Sequence, residues 1–110
     1  MVKKLSYNAT MPKLKRRTKK KSKYKSLVID KKRYYFHRIT WLDIMGDSGH
    51  ANSDEFMAMK PAEMVTYGYV FYNDSKVVRT FASYDSKEES FSDRNVFPKG
   101  CIVRLEKINL

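Results

Sequence analysis

The side chains best suited to chemistry crowd between Asp43 and Asp54, in the run "DIMGDSGHANSD". Ser48 stands in Gly46-Asp47-Ser48-Gly49, one residue short of the GDSGG signature around a nucleophilic serine, with His50 where the final glycine would be. The chemistry on offer would be acyl transfer, with a hydroxyl activated by a histidine that a carboxylate orients. Enzymes with that signature run to more than about 200 residues and bring the histidine and aspartate from far upstream. Here the only upstream histidine is His37, with Asp43 six positions on. On one extended strand those two lie about 20 Å apart at roughly 3.3 Å per residue, too far for a base and its orienting acid. Ser48 is therefore read as part of a polar loop in which Gly46 and Gly49 supply positive φ and the Asp and Ser satisfy the backbone locally.

Other chemistries fare no better. Asp43, Asp47, His50 and Asp54 lack the ligand spacing of a calcium loop. Glu88, Glu89 and Asp93 form a charged loop with no apolar pocket to raise a carboxyl pKa. Cys101, the single cysteine, excludes an internal disulfide, and with His37 and His50 it is too few ligands for a structural zinc site. It is read as a small buried residue in a reduced, intracellular chain. No glycine-rich phosphate loop occurs. No catalytic residue, metal or cofactor is assigned, and the chain is read as a non-enzyme.

Charge is the stronger signal. The 110 residues carry a formal +11, but residues 1–33 hold fourteen Lys and Arg against one acid, Asp30, a net +13, whereas residues 34–110 hold nine against eleven, a net −2. The molecule is a slightly acidic domain with a basic arm. Between Lys13 and Lys25, nine of thirteen residues are basic, with Tyr24 interleaved. Cations at this density release counterions from phosphates and bind nucleic acid with steep salt dependence and little sequence preference. The candidate phosphate-binding residues are Lys13, Lys15, Arg16, Arg17, Lys19, Lys20, Lys21, Lys23, Lys25, Lys31, Lys32 and Arg33. A solvated, solubilising tail is the alternative; a membrane surface is a weaker one, since the arm has no apolar face. No apolar run approaches the roughly 18 residues of a membrane span, and no apolar segment follows the basic N-terminus as in a secretory signal.

The elements that must position these groups follow from periodicity. Residues 1–25 lack apolar periodicity and are expected to be an extended or disordered arm; residues 26–110 form the domain. "SLVID", a polar turn at "KKR", and "YYFHRITWLDI" read as a short strand and a long aromatic one. Asn52 or Ser53 is a plausible N-cap for a helix of about two turns that Pro61 stops. "MVTYGYVFYN" and "KVVRTFASY" read as a hairpin turning at Asn73-Asp74-Ser75, with Gly68 marking a bend or close approach. "DSKEESFS" is a polar loop, and Pro98-Lys99-Gly100 is a corner, one turn of 3₁₀ helix, into a last strand. Together these predict a mostly β chain, a small strongly bent five- to six-stranded barrel of the SH3-like or Sm-like type with one short helix and a basic N-terminal arm. An OB-fold would want longer second and third strands. Eight tyrosines and six phenylalanines exceed what so small a core usually buries, so some aromatic rings are expected on the surface for stacking or partner binding.

Several of these stretches also form a pattern: Trp41-Leu42-Asp43-Ile44, the Gly-Asp-Ser-Gly loop, "KPAEMVTYGYVF", "FASYD", and "FSDRNVFPKGCIVRLEKI". Over about residues 38–108 the chain resembles a family of small uncharacterised proteins from tailed bacteriophages, and its end resembles the closing corner of Sm-like domains. The resemblance implies a phage origin, a barrel, and a location in the infected bacterial cytoplasm or in the virion; it brings no activity. Two functions are left open. One is an accessory protein binding DNA or RNA, or a nucleoprotein host machine, through the arm. The other is a virion or assembly protein whose barrel docks on other subunits, or on copies of itself, with the arm facing packaged DNA.

Overall fold

The computed structural model describes residues 23–110. The first strand, β1 (Ser26–Ile29), turns into the long β2 (Lys32–Asp43). An excursion bearing the short helix α1 (Ser53–Met57) leads to β3 (Ala62–Asn73), followed by β4 (Val77–Phe81). A two-rung ladder of β5 (Ser83–Tyr84) and β6 (Phe91–Ser92) precedes β7 (Asn95–Pro98), a 3₁₀ turn (Lys99–Cys101) and β8 (Ile102–Lys107). The main sheet is antiparallel in the order β8-β2-β3-β4-β7, and β1 extends it on β2.

The mostly β expectation holds, with one helix. Barrel closure does not: β7 and β8, the two ends of the hydrogen-bonded path, do not pair with each other. The Pro98-Lys99-Gly100 corner lies between these two strands. It forms the expected 3₁₀ turn rather than a hairpin, so consecutive strands are sent to opposite margins of the sheet, β7 onto β4 and β8 onto β2. Cys101 belongs to that turn, half-buried, rather than to the apolar strand after it.

Bending gives the sheet two apolar clusters. On one face Ile39 and Val78 are fully buried with Phe97, and Trp41 meets Phe97 edge-on at 5.5 Å while its Nε1–H donates to Thr66 Oγ1 at 2.9 Å. The other cluster is aromatic. Phe81, 1% exposed, touches Tyr34 at 5.3 Å, Tyr69 at 5.7 Å and Phe91 at 4.7 Å. A bulge between Val70 and Tyr72 lets β3 leave β2 and bend onto β4. Gly68 is where backbones approach, as expected: a Cβ there would stand 3.3 Å from the Phe81 carbonyl oxygen.

Local chemistry accounts for the turns. Asp74 Oδ1 accepts from the amides of Lys76 and Val77, and its other oxygen takes Arg79 Nη1 at 3.1 Å; these bonds hold the carboxyl down at about 2. The "DSKEESFS" segment departs from a plain loop, because Phe91 and Tyr84 peg it onto Phe81 and Asp93 accepts from Ser83 Oγ at 2.6 Å. The first turn is Asp30-Lys31, with Lys32 and Arg33 already in β2. Both turn residues are left-handed, φ 49° and 69°, as a two-residue type I′ loop requires. Lysine is ill suited to that region. Lys31→Gly is therefore expected to raise unfolding free energy by about 1 kcal/mol, read by urea denaturation.

Neither Gly46 nor Gly49 has positive φ, contrary to the expectation for that loop. Gly49 is held by its N–H donating to Asp47 Oδ1 at 2.8 Å, and a Cβ at Gly46 would meet nothing within 4 Å. Asn52 is the N-cap of α1, accepting from Glu55 N at 2.8 Å while Glu55 Oε1 accepts from Asn52 N at 3.0 Å.

Candidate nucleic-acid interface

Of the twelve basic residues singled out above, Lys13, Lys15, Arg16, Arg17, Lys19, Lys20 and Lys21 lie outside the described residues. Lys23, Lys25, Lys31, Lys32 and Arg33 lie within them. The first two are fixed by backbone pairing with the chain's other end. Lys25 N–H donates to Ile108 O at 2.8 Å, Leu110 N–H donates to Lys23 O at 2.8 Å, and Tyr24 bridges Asn109. Lys25 O in turn accepts from Phe36 N at 2.9 Å, and Ile108 N–H donates to Phe36 O at 3.0 Å. Phe36 thus joins β2, the first described residues and the last ones.

Aromatic rings then orient the cations. Lys25 Nζ lies 4.4 Å from the Phe36 ring centroid, and Lys107 Nζ lies 4.4 Å from that of Tyr35 and 5.2 Å from that of Tyr24. An ammonium over a ring face keeps its charge while losing some freedom of movement. Arg33 Nη1 donates to Ser26 Oγ at 2.7 Å, holding the guanidinium along the hairpin. Lys107 was not among the residues picked from sequence. Its register opposite His37 places it here, and only the alternation of the last strand hinted at that.

None of these six cations has a carboxylate within 4.0 Å among the described residues. The ion pairs there are Arg38 with Glu106, Arg79 with Asp74, and Arg104 with Glu106. The root of the arm therefore carries cations without carboxylate partners, on a domain whose residues 34–110 hold a net −2.

His37 is 8% exposed, its Nδ1–H donating to Tyr35 O at 2.9 Å. Burial pushes its pKa below the usual 6.5, and the Lys107 charge pushes the same way against the opposing Tyr35 bond. The unfolded chain thus binds the proton more readily than the folded one, so His37 favours folding above pH 6.5 and that contribution is lost as pH falls below it. Denaturation midpoints taken from about pH 7.5 down to about pH 5.5 should decline, and His37→Gln should flatten the decline. His37 is buried in the sheet, whereas Ser48 sits in an exposed loop.

Fold and site together define a mostly β antiparallel domain in which Lys23, Lys25, Lys31, Lys32, Arg33 and Lys107 have no carboxylate partner among the described residues, with Lys25 and Lys107 resting on adjacent rings of β2, Phe36 and Tyr35, which face opposite sides of the strand. No family model, curated protein or solved structure matches the chain. No helix among the described residues is long and apolar enough to cross a membrane.

Proposed function

We propose that this is a non-enzymatic, phage-encoded accessory protein that binds nucleic acid, or a nucleoprotein machine of the bacterial host, through its basic N-terminal segment, without sequence preference. The observation that carries the proposal is the division of charge, +13 on residues 1–33 against −2 on the rest. The arm's root supports it, since Lys23, Lys25, Arg33 and Lys107 have no carboxylate within 4.0 Å among the described residues. The domain acts as the mount, and an SH3-like topology fits that role. In its support are the strand order β8-β2-β3-β4-β7 and the 3₁₀ turn before the last strand. In use, phosphates pair with the arm and with Lys31, Lys32 and Arg33 on the hairpin, while the sheet holds the arm's origin still.

Fluorescence anisotropy with labelled duplex DNA, single-stranded DNA and RNA, across a range of salt, tests this. Binding to all three with a steep loss on adding salt is expected. Absence of binding at low salt by the full chain overturns the proposal. A virion or assembly role is the second reading. Large apolar side chains exposed on the α1 excursion favour it, and finding the protein in purified particles would select it.

A further inference from the structure

A hollow of about 640 Å³ opens over β4 and β7, on the side of the sheet that carries the aromatic cluster. Arg79 stands opposite Val96 in the β4–β7 ladder, and alternation puts Phe81 on the same side. The walls are apolar where Phe71, Phe81, Phe91 and Val96 line them, and Phe71 is 42% exposed. A cleft of this size, mostly apolar with a few polar groups, has the form of a ligand site. Its charged groups are Arg79, Arg94 and Glu89. Arg79 is paired with Asp74 at 3.1 Å, whereas Arg94 has no carboxylate within 4.0 Å among the described residues.

Each group selects part of a ligand. An accessible phenyl ring takes a flat aromatic group against its face or edge. A guanidinium without a partner takes a phosphate through paired N–H donors. Glu89 accepts from an N–H group and repels a second anion. A flat ring system with an N–H edge and a phosphate at some distance from it satisfies all three, and an unpaired nucleotide is such a group. Every nucleobase carries an N–H on its pairing edge, and that edge is free only outside a duplex.

The surroundings favour the same occupant. Tyr34 lies against Phe71 at 6.0 Å, Phe81 at 5.3 Å and Phe91 at 6.0 Å. Lys32, two residues earlier on β2, projects to the same side of the strand as Tyr34, and so does Phe36, whose ring holds Lys25 Nζ at 4.4 Å. Phe36 meets Tyr69 at 4.9 Å, and Tyr69 meets Phe81 at 5.7 Å. Two cations at the root of the arm therefore share one side of the sheet with the hollow, joined to it by rings.

We infer that the hollow receives one unstacked base of a single-stranded nucleic acid that the arm holds. The base rests against Phe71 and Phe91, its phosphate meets Arg94, and its pairing edge meets Glu89. This rests on the nucleic-acid reading above and adds to it a preference for single strands. Arm contacts release counterions and weaken with salt, whereas a base against a ring releases none. Single-strand binding therefore outlasts duplex binding as salt rises.

Anisotropy of the full chain with labelled hexathymidylate and with a short duplex, at low and high salt, provides the test. Hexathymidylate should stay bound at salt concentrations that release the duplex. Arg94→Gln changes an exposed side chain, and Phe71→Leu keeps an apolar group on the cluster while removing the flat ring. Each should weaken hexathymidylate binding about tenfold and alter low-salt duplex binding little. Irradiating the complex with an oligothymidylate that carries one 5-iodouracil should cross-link it to Phe71 or Phe91. Loss of both probes together as salt rises, undiminished hexathymidylate binding in either variant, or cross-links confined to residues 1–33 would each overturn the inference and leave the arm as the phosphate clamp. Absence of binding to both probes at low salt would overturn the inference and the nucleic-acid reading together.

Discussion

Replacing Lys13, Lys15, Arg16, Arg17, Lys19, Lys20 and Lys21 together by glutamine is expected to remove most of the salt dependence of nucleic-acid binding, and with it most of the affinity at low salt. Each phosphate neutralised on duplex DNA contributes about 0.9 to the slope of log affinity against log salt. Seven lost contacts therefore lower the slope by about six. Over the fourfold rise from about 50 to about 200 mM salt, a slope lower by about six means that the variant loses about four decades less affinity than the parent. Glutamine keeps side-chain length and hydrogen-bonding capacity, so the change isolates charge. Lys25→Gln and Lys107→Gln, whose ammonium groups rest on rings at 4.4 Å, should each subtract about one unit of slope or less. Anisotropy titrations at four or five salt concentrations give these slopes directly. A septuple variant that retains the parent slope would place binding on the sheet and refute the arm as the phosphate clamp.

Much of the frame behind this prediction was legible from residue order, because its signals are local. The aromatic and β-branched run from Tyr34 to Ile44 marks a long strand, Asn52 followed three residues later by Glu55 marks a helix start, and Pro98 with Gly100 marks a corner. What escaped was set by non-local contact. Nothing around Lys23 or Lys25 announces that their backbones pair with Leu110 and Ile108, and so only the alternation of the last strand hinted that Lys107 would lie over Tyr24. The β5–β6 ladder was missed because its only apolar signal in a charged loop is Phe91, whose value depends on Phe81 waiting across the fold. The first turn was expected at Lys31-Lys32-Arg33 rather than Asp30-Lys31 because Asp30 and Lys31 adopt left-handed φ without a glycine to mark it. Closure of the sheet failed for a related reason. A 3₁₀ corner fixes the direction of the chain but does not dictate hydrogen bonding between the strands it joins.

The largest single-residue effect on stability is expected at Phe81. Its ring is the centre of the second cluster, with Tyr34, Tyr69, Phe71, Tyr84 and Phe91 around it. Truncation removes a fully buried aromatic and leaves a cavity that those neighbours, held on separate strands, can only partly fill. Phe81→Ala should therefore lose about 3–5 kcal/mol, a large share of the about 5–15 kcal/mol that typically holds a domain folded. For a chain of this size the loss corresponds to a fall of about 15 °C or more in Tm. Phe71, in the same cluster but 42% exposed, should lose much less on the same truncation, because water already reaches part of its ring. The two variants also separate local from global damage. Hydrogen exchange at Ala82 and Asp85, whose amides donate to Ser92 O and Ser90 O across the β5–β6 ladder, should quicken in Phe81→Ala even where the rest of the sheet stays protected, because Phe91 and Tyr84 would lose the surface they rest on. Equal losses for Phe81→Ala and Phe71→Ala would instead mean that the ladder lies loosely over the sheet, leaving the Ile39, Val78 and Phe97 face to stabilise the domain alone.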